Sequence, residues 1–190
     1  MDNSVSEKRS RSNEIDMLNG PLFKKILLFA LPMAASSLLQ ELFNSVDVAV
    51  VGHFVGSNAL AAVGSNAPVI GLLINLFVGI SMGACAIISN HIGQKDEKSI
   101  HNAINTVALV AVLSGFFLLI LGVSVARPIL SWMGTPPDVL DDAVMYLRIY
   151  FLGMPFIMVF NFGAAILRSM GDTRRPLYIL VMAGVVNTLL

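Results

Sequence analysis

The sequence predicts an all-α, polytopic transmembrane helix bundle, and three observations support that fold class. Hydrophobic residues make up 56% of the 190-residue chain and charged residues only 13%, whereas soluble domains contain about 25% charged residues. Several apolar runs reach the ~20 residues that a helix needs to cross a bilayer. Lysine and arginine are concentrated on alternate loops between these runs, as expected of a multi-pass protein.

Five spans are expected after a polar, disordered tail at residues 1–20, and residues 21–190 form one transmembrane bundle. In chain order the spans cover about 26–51, 59–92, 103–126, 143–167 and 177–190. The first is longer than a crossing requires and contains Pro32, so it should tilt or kink there. The fourth is interrupted by Gly153 and Pro155. The fifth is too short to cross, so we expect the chain to be the N-terminal part of a longer protein.

The second span carries a ridge of small residues that recurs every four positions. Its members are Gly71, Asn75, Gly79 and Gly83. Small residues at this spacing are typical of helices that pack closely in membranes, so close packing is our main interpretation of the ridge. The alternative is that Asn75 lines a polar cavity.

The distribution of basic residues sets the orientation in the membrane. Ten of the twelve lysines and arginines belong to the tail or to the second-to-third and fourth-to-fifth loops. These are Lys8, Arg9, Arg11, Lys24, Lys25, Lys95, Lys98, Arg168, Arg174 and Arg175. The positive-inside rule therefore predicts a cytoplasmic N-terminus, in the plasma membrane. Because apolar spans flank these residues, we do not expect a nucleic-acid partner.

The chain contains no catalytic constellation, so we do not expect an enzyme. The histidines, His53, His91 and His101, lie in or near loops without ligand spacing, and Cys85 is the only cysteine. The phosphate-binding pattern GxxxxGK[ST] is absent. No cofactor is expected.

The first span contains the chemistry that needs an explanation. On a helix, Gln40, Asn44 and Asp47 fall at i, i+4 and i+7 and share one face. An ionised acid near mid-bilayer costs about 2.5–3.5 kcal/mol, so such residues usually face protein or water and have a function. Glu41 lies about 100° around the helix from Gln40. It either pairs with Arg148 or lines the same cavity.

Two kinds of chemistry are open to Asp47. The carboxylate can take up and release a proton, or it can join amide oxygens in a hard-oxygen site for a small cation such as Na⁺. The sequence alone does not distinguish between them.

Several motifs together resemble the multidrug and toxic compound extrusion (MATE) transporters. They are Leu39-Gln-Glu-Leu-Phe-Asn-Ser-Val-Asp47, Val51-Gly52, Ala59-Leu-Ala-Ala-Val-Gly64, Gly79-Ile-Ser-Met-Gly83, Ile92-Gly-Gln-Lys-Asp96 and Leu167-Arg-Ser-Met-Gly-Asp-Thr173. Each is weak alone, but their order and spacing from Pro21 onward are specific. The resemblance implies twelve helices in two six-helix lobes. This chain would be most of the N-terminal lobe, and the C-terminal lobe would be missing from it.

The resemblance further implies a secondary antiporter that exports cationic, amphipathic drugs or metabolites in exchange for Na⁺ or H⁺. The acid central to coupling in the family matches Asp47, and amides on later helices match Asn161 and Asn187. Glu41 departs from the glutamine that is usual in the family.

The expected mechanism is alternating access. A coupling cation binds Asp47 and displaces the drug from a cavity lined by Gln40, Asn44 and Asn75, while kinks at Pro32 and Pro155 let the lobe bend. Two alternatives remain open: a lipid-linked oligosaccharide flippase of the same superfamily, and a truncated membrane protein that does not transport.

Overall fold

The computed structural model describes residues 22–189, which form six α-helices and contain no strand. The helices are α1 (Leu22–Phe54), α2 (Ser57–Gly93), α3 (Glu97–Trp132), α4 (Pro137–Leu152), α5 (Met154–Ser169) and α6 (Arg174–Leu189). The all-α class expected from the sequence is confirmed. The expected tail at residues 1–20 lies outside the described part of the chain.

Helices α1, α2 and α3 are each long and apolar enough to cross a membrane. Helices α4 and α5 together form a fourth candidate span, bent by 48° at Gly153. Each span expected from the sequence overlaps one helix or this bent pair. Asp96 caps the start of α3 by accepting hydrogen bonds from the Ser99 backbone N–H (3.1 Å) and hydroxyl (2.6 Å).

The same two bonds from Ser99 hold the pKa of the Asp96 carboxyl below its usual value. The cap of α3 is therefore fully formed above the unfolded-state pKa of Asp96, and it is lost as the pH falls through the lower folded-state value.

Helices α2 to α5 form the packed core, and α1 and α6 lie beside it. The core contains fully buried side chains from each of the four helices, including Ile88, Leu118, Leu147 and Met158. Helix α1 contacts only α2 and α6, and α6 contacts only α1 and α5. The pair α1–α6 is thus a separate layer on one side of the core.

Three glycines allow the closest helix approaches in the described part of the chain. Gly122 of α3 lies against the Phe151 ring, Gly184 of α6 lies against the Phe43 ring, and Gly115 of α3 lies against the backbone of Pro155. A Cβ at Gly115 would lie 2.5 Å from the Pro155 Cα. The bend between α4 and α5 is therefore seated on Gly115.

Close packing of the α2 ridge, expected from the sequence, is wrong for residues 22–189. A Cβ added at Gly71, Gly79 or Gly83 would meet nothing within 4 Å, and Asn75 is exposed. The four-residue spacing identifies a small-residue surface but not whether another helix covers it.

One buried amide ties α2 to α4. The Asn66 side chain is fully buried, and its Nδ2 donates to the Ala62 carbonyl (2.8 Å) and, across the helix interface, to the Ala143 carbonyl (3.0 Å). This bond fixes the height of α4 relative to α2.

The turn between α5 and α6 depends on Asp172, which is only 1% exposed. Its Oδ1 accepts hydrogen bonds from the backbone N–H groups of Arg174 and Arg175, both at 3.1 Å. The Arg175 Nε lies 2.9 Å from Oδ2, but its N–H is not aimed at that oxygen, so the contact is an ion pair. Asp172 therefore caps α6 and sets where that helix starts.

We expect Asp172→Ala to destabilise the protein by about 2 kcal/mol, because it removes the cap and leaves two N–H groups without an acceptor. Asp172→Asn keeps one acceptor oxygen and should lose less. The apparent melting temperature of the purified full-length protein is the measurement. Asp142→Ala, at an exposed acid of α4, is the control and should change little. Equal melting temperatures for Asp172→Ala and wild type would contradict the assignment of the cap.

Candidate functional site

The polar stripe of α1 is open on the surface of the described structure. Gln40, Asn44 and Asp47 are all exposed, and they follow one face of the helix. Phe43, which contacts Gly184 of α6, lies about 40° around the helix from Asp47. The stripe thus runs beside the seam between α1 and α6.

Asp47 faces an aromatic pair on α4. Asp47 lies within electrostatic range of Tyr146, although α1 and α4 have no direct contact. The Tyr146 and Tyr150 rings stack with centroids 6.4 Å apart. Both Asp47 and Tyr146 are exposed, and we call the open space between these two side chains the Asp47 cleft.

Sequence reasoning missed the two tyrosines. Their i, i+4 spacing is the only available signal, and it predicts that they share a face of α4. It does not predict that the face is turned toward α1.

Asn187 lies at nearly the same height as Asp47. Successive spans reverse direction, so α1 and α6 run parallel, and Phe43 of α1 meets Gly184 of α6. Asp47 is four residues beyond Phe43 and Asn187 three beyond Gly184, which puts both about one turn further along. The register of the two helices brings these residues to the same level of one seam.

Asn161, a further expected site residue, is not brought to Asp47 by direct helix contact. Asn161 is half-buried on α5, and its Nδ2 donates to the Ile157 carbonyl of its own helix at 3.0 Å. Helix α5 contacts α6 but not α1. Asn75 is exposed on α2.

Glu41 does not pair with Arg148, so that alternative is wrong for the described structure. The two ion pairs within residues 22–189 are Arg127–Asp141 and Arg175–Asp172. Glu41 is exposed on α1, and α1 does not reach α4. The second alternative, that Glu41 lines the cavity, stays a prediction.

The two prolines have different surroundings. Helix α1 continues through Pro32, and the Ser36 hydroxyl donates to the Pro32 carbonyl at 2.8 Å. Pro155 follows the break at Gly153, where α4 and α5 are bent by 48°. Only the second proline adjoins a break in the helix.

Within residues 22–189, no group of three or more His, Cys, Asp or Glu side chains could hold a metal ion. Asp47 and the amides of its stripe offer one carboxylate and neutral oxygens.

Three long apolar helices and one bent helix pair define the class as a multi-pass α-helical membrane protein. The MatE family model matches residues 32–190 of the sequence. The chain therefore belongs to the MatE family, as its motifs indicated.

Individual relatives agree with the family. The chain is 31% identical over 183 residues to the probable multidrug resistance protein YoeA of Bacillus subtilis, and covers 38% of it with 96% of its own length. It is 30% identical over 182 residues to the probable multidrug resistance protein YpnP of the same organism, and covers 39% of it with 92% of its own length.

A crystal structure of MATE in the bent conformation superposes with a TM-score of 0.85 at 27% identity. The match covers 93% of this chain and 39% of that one. The chain thus spans about two fifths of the length of the relatives it matches, and its fold is part of the MATE fold.

Proposed function

We propose that the full-length protein is a secondary antiporter that exports cationic, amphipathic drugs or metabolites in exchange for Na⁺ or H⁺. The observation that carries this proposal is the proximity of the exposed Asp47 carboxylate on α1 to Tyr146 on α4. A carboxylate and aromatic faces attract the same ligand, an organic cation with an apolar body.

The chemistry of the cleft also supports coupling between the two cations. A drug cation and a coupling ion that both need the Asp47 carboxylate cannot occupy it together. A ligand shifts a conformational equilibrium by its differential affinity for the two states. Binding of Na⁺ or H⁺ at Asp47 therefore releases the drug on the side where the cleft is open.

The remaining polar residues take supporting roles in this proposal. Asn187 lies at the level of Asp47 on the neighbouring helix and adds an amide oxygen. Asn161 contributes to the same site from α5. The cavity-lining residues are Gln40, Glu41, Asn44 and Asn75.

The lobe changes shape mainly at Pro155, with Pro32 as a second bending point. The existing 48° bend between α4 and α5 supports the first of these, because a helix already broken at Gly153 has fewer backbone bonds to lose on bending. The distribution of basic residues supports a cytoplasmic N-terminus, and the location in this proposal is the plasma membrane.

The negative charge of Asp47 in the polar stripe favours this function over flipping of a lipid-linked oligosaccharide, because it would repel the anionic phosphates of that substrate. The test is ethidium efflux from cells that express the full-length gene product. Efflux should stop when an ionophore collapses the Na⁺ or the H⁺ gradient, and the ionophore that acts identifies the coupling ion. Efflux that persists without both gradients, or no efflux above empty-vector cells, would overturn the proposal.

A further inference from the structure

A concave site lies between α3 and α4. We call it the α3–α4 groove; it has a volume of about 330 Å³, and its lining includes Val123, Arg127, Asp141, Met145, Arg148 and Ile149. Arg148 is two residues after Tyr146, which places it about 200° around α4 from the tyrosine. The groove is therefore on the opposite side of α4 from the Asp47 cleft.

The charges in the α3–α4 groove do not cancel. An Arg127 guanidinium nitrogen lies 3.0 Å from Asp141 Oδ1, with the two side chains 60% and 78% exposed. Arg148 has no ion-pair partner among residues 22–189. The groove therefore carries one net positive charge.

The depth of Arg148 makes that charge unusual. Trp132, five residues after Arg127, is 88% exposed and suits the membrane interface. Arg148 is two turns along α4 from Asp141, which puts its Cα about 10 Å deeper than the ion pair. An arginine at this depth in a membrane normally extends its side chain toward the interface. Arg148 and Arg127 line the same groove.

The rest of the lining is apolar. Val123, Met145 and Ile149 line the groove one to two turns deeper than the Arg127–Asp141 ion pair. A ligand that fits must have an anionic group at the interface and a hydrocarbon portion that follows the helices inward. Such a molecule is already present in the surrounding bilayer.

We propose that the α3–α4 groove binds an anionic phospholipid. The phosphate lies between Arg127 and Arg148, which donate charge-assisted hydrogen bonds to its oxygens. One acyl chain lies along Val123, Met145 and Ile149. Asp141 retains its bond to Arg127 and orients that guanidinium. The proposal does not depend on which compound the protein transports.

The test uses native mass spectrometry of the full-length protein in detergent, with phosphatidylglycerol and phosphatidylcholine of identical acyl chains. Wild type should retain phosphatidylglycerol in preference. Arg148→Gln should weaken phosphatidylglycerol binding about tenfold and leave phosphatidylcholine unchanged, because one charge-assisted contact is lost. Arg148→Lys keeps the charge and should retain the preference, which separates a lost contact from a misfolded protein.

The matched control is Arg174→Gln, which removes an exposed arginine at the opposite end of the bundle and should bind phosphatidylglycerol like wild type. Millimolar inorganic phosphate should not displace the lipid, since the acyl chain contributes to binding. The proposal is overturned if wild type shows no preference between the lipids, or if Arg148→Gln binds as wild type does. Displacement of the lipid by inorganic phosphate would also overturn the proposal, because it would show that the groove is a site for free anions.

Discussion

Full-length protein with Asp47→Asn is expected to lose ethidium efflux at least tenfold. Asparagine keeps the size of the side chain and one oxygen acceptor but removes the negative charge. A carboxylate and a cation about 4 Å apart attract each other by about 4 kcal/mol at the effective dielectric constant of a protein surface. Loss of this attraction weakens the binding of both the drug and the coupling ion. The exchange of one for the other therefore slows.

The measurement is the initial rate of dye efflux, normalised to the amount of protein in the membrane. Asp142→Asn is the matched control, because it removes the same charge from an exposed acid of α4. It should transport at the wild-type rate. Wild-type efflux in Asp47→Asn would show that coupling resides elsewhere, whereas loss in both variants would point to overall charge rather than to the cleft.

Much of this fold follows from the sequence because membrane insertion leaves a strong local signal. The long apolar runs predict α1, α2 and α3, and the residues Gly153 and Pro155 mark where the fourth span bends. The polar stripe on α1 also follows from periodicity alone. These features depend on one helix and its surroundings at a time.

Pairing between helices that are distant in sequence does not follow from such local signals. Nothing local indicates that Tyr146 faces Asp47, or that the Asn66 amide bonds the Ala143 carbonyl. The alternative in which Glu41 pairs with Arg148 failed for the same reason. Opposite charges at similar depth predict attraction, but α1 and α4 do not touch and Arg148 is turned toward α3.

The contact between Gly115 and Pro155 also joins residues distant in sequence, and substitution of Gly115 should have a large effect on stability. Gly115→Ala should destabilise the protein by about 1–3 kcal/mol, the usual cost of overpacking. The new Cβ would lie 2.5 Å from the Pro155 Cα and 3.3 Å from its N and Cβ. Since the main obstacle is backbone, rotating a side chain cannot relieve the contact, and α3 must move away from the α4–α5 bend.

Gly79→Ala on α2 is the matched control, because a Cβ there meets nothing within 4 Å in the described part of the chain. Alanine also favours the helix over glycine by up to about 1 kcal/mol, so this variant should melt at or slightly above the wild-type temperature. The two variants make the same chemical change in two helices of the same bundle, which isolates the effect of the neighbour. If Gly79→Ala is as damaging as Gly115→Ala, the α2 ridge is covered by something outside residues 22–189. If neither is damaging, α3 does not seat the bend as closely as described, and Pro155 is freer to act as a bending point.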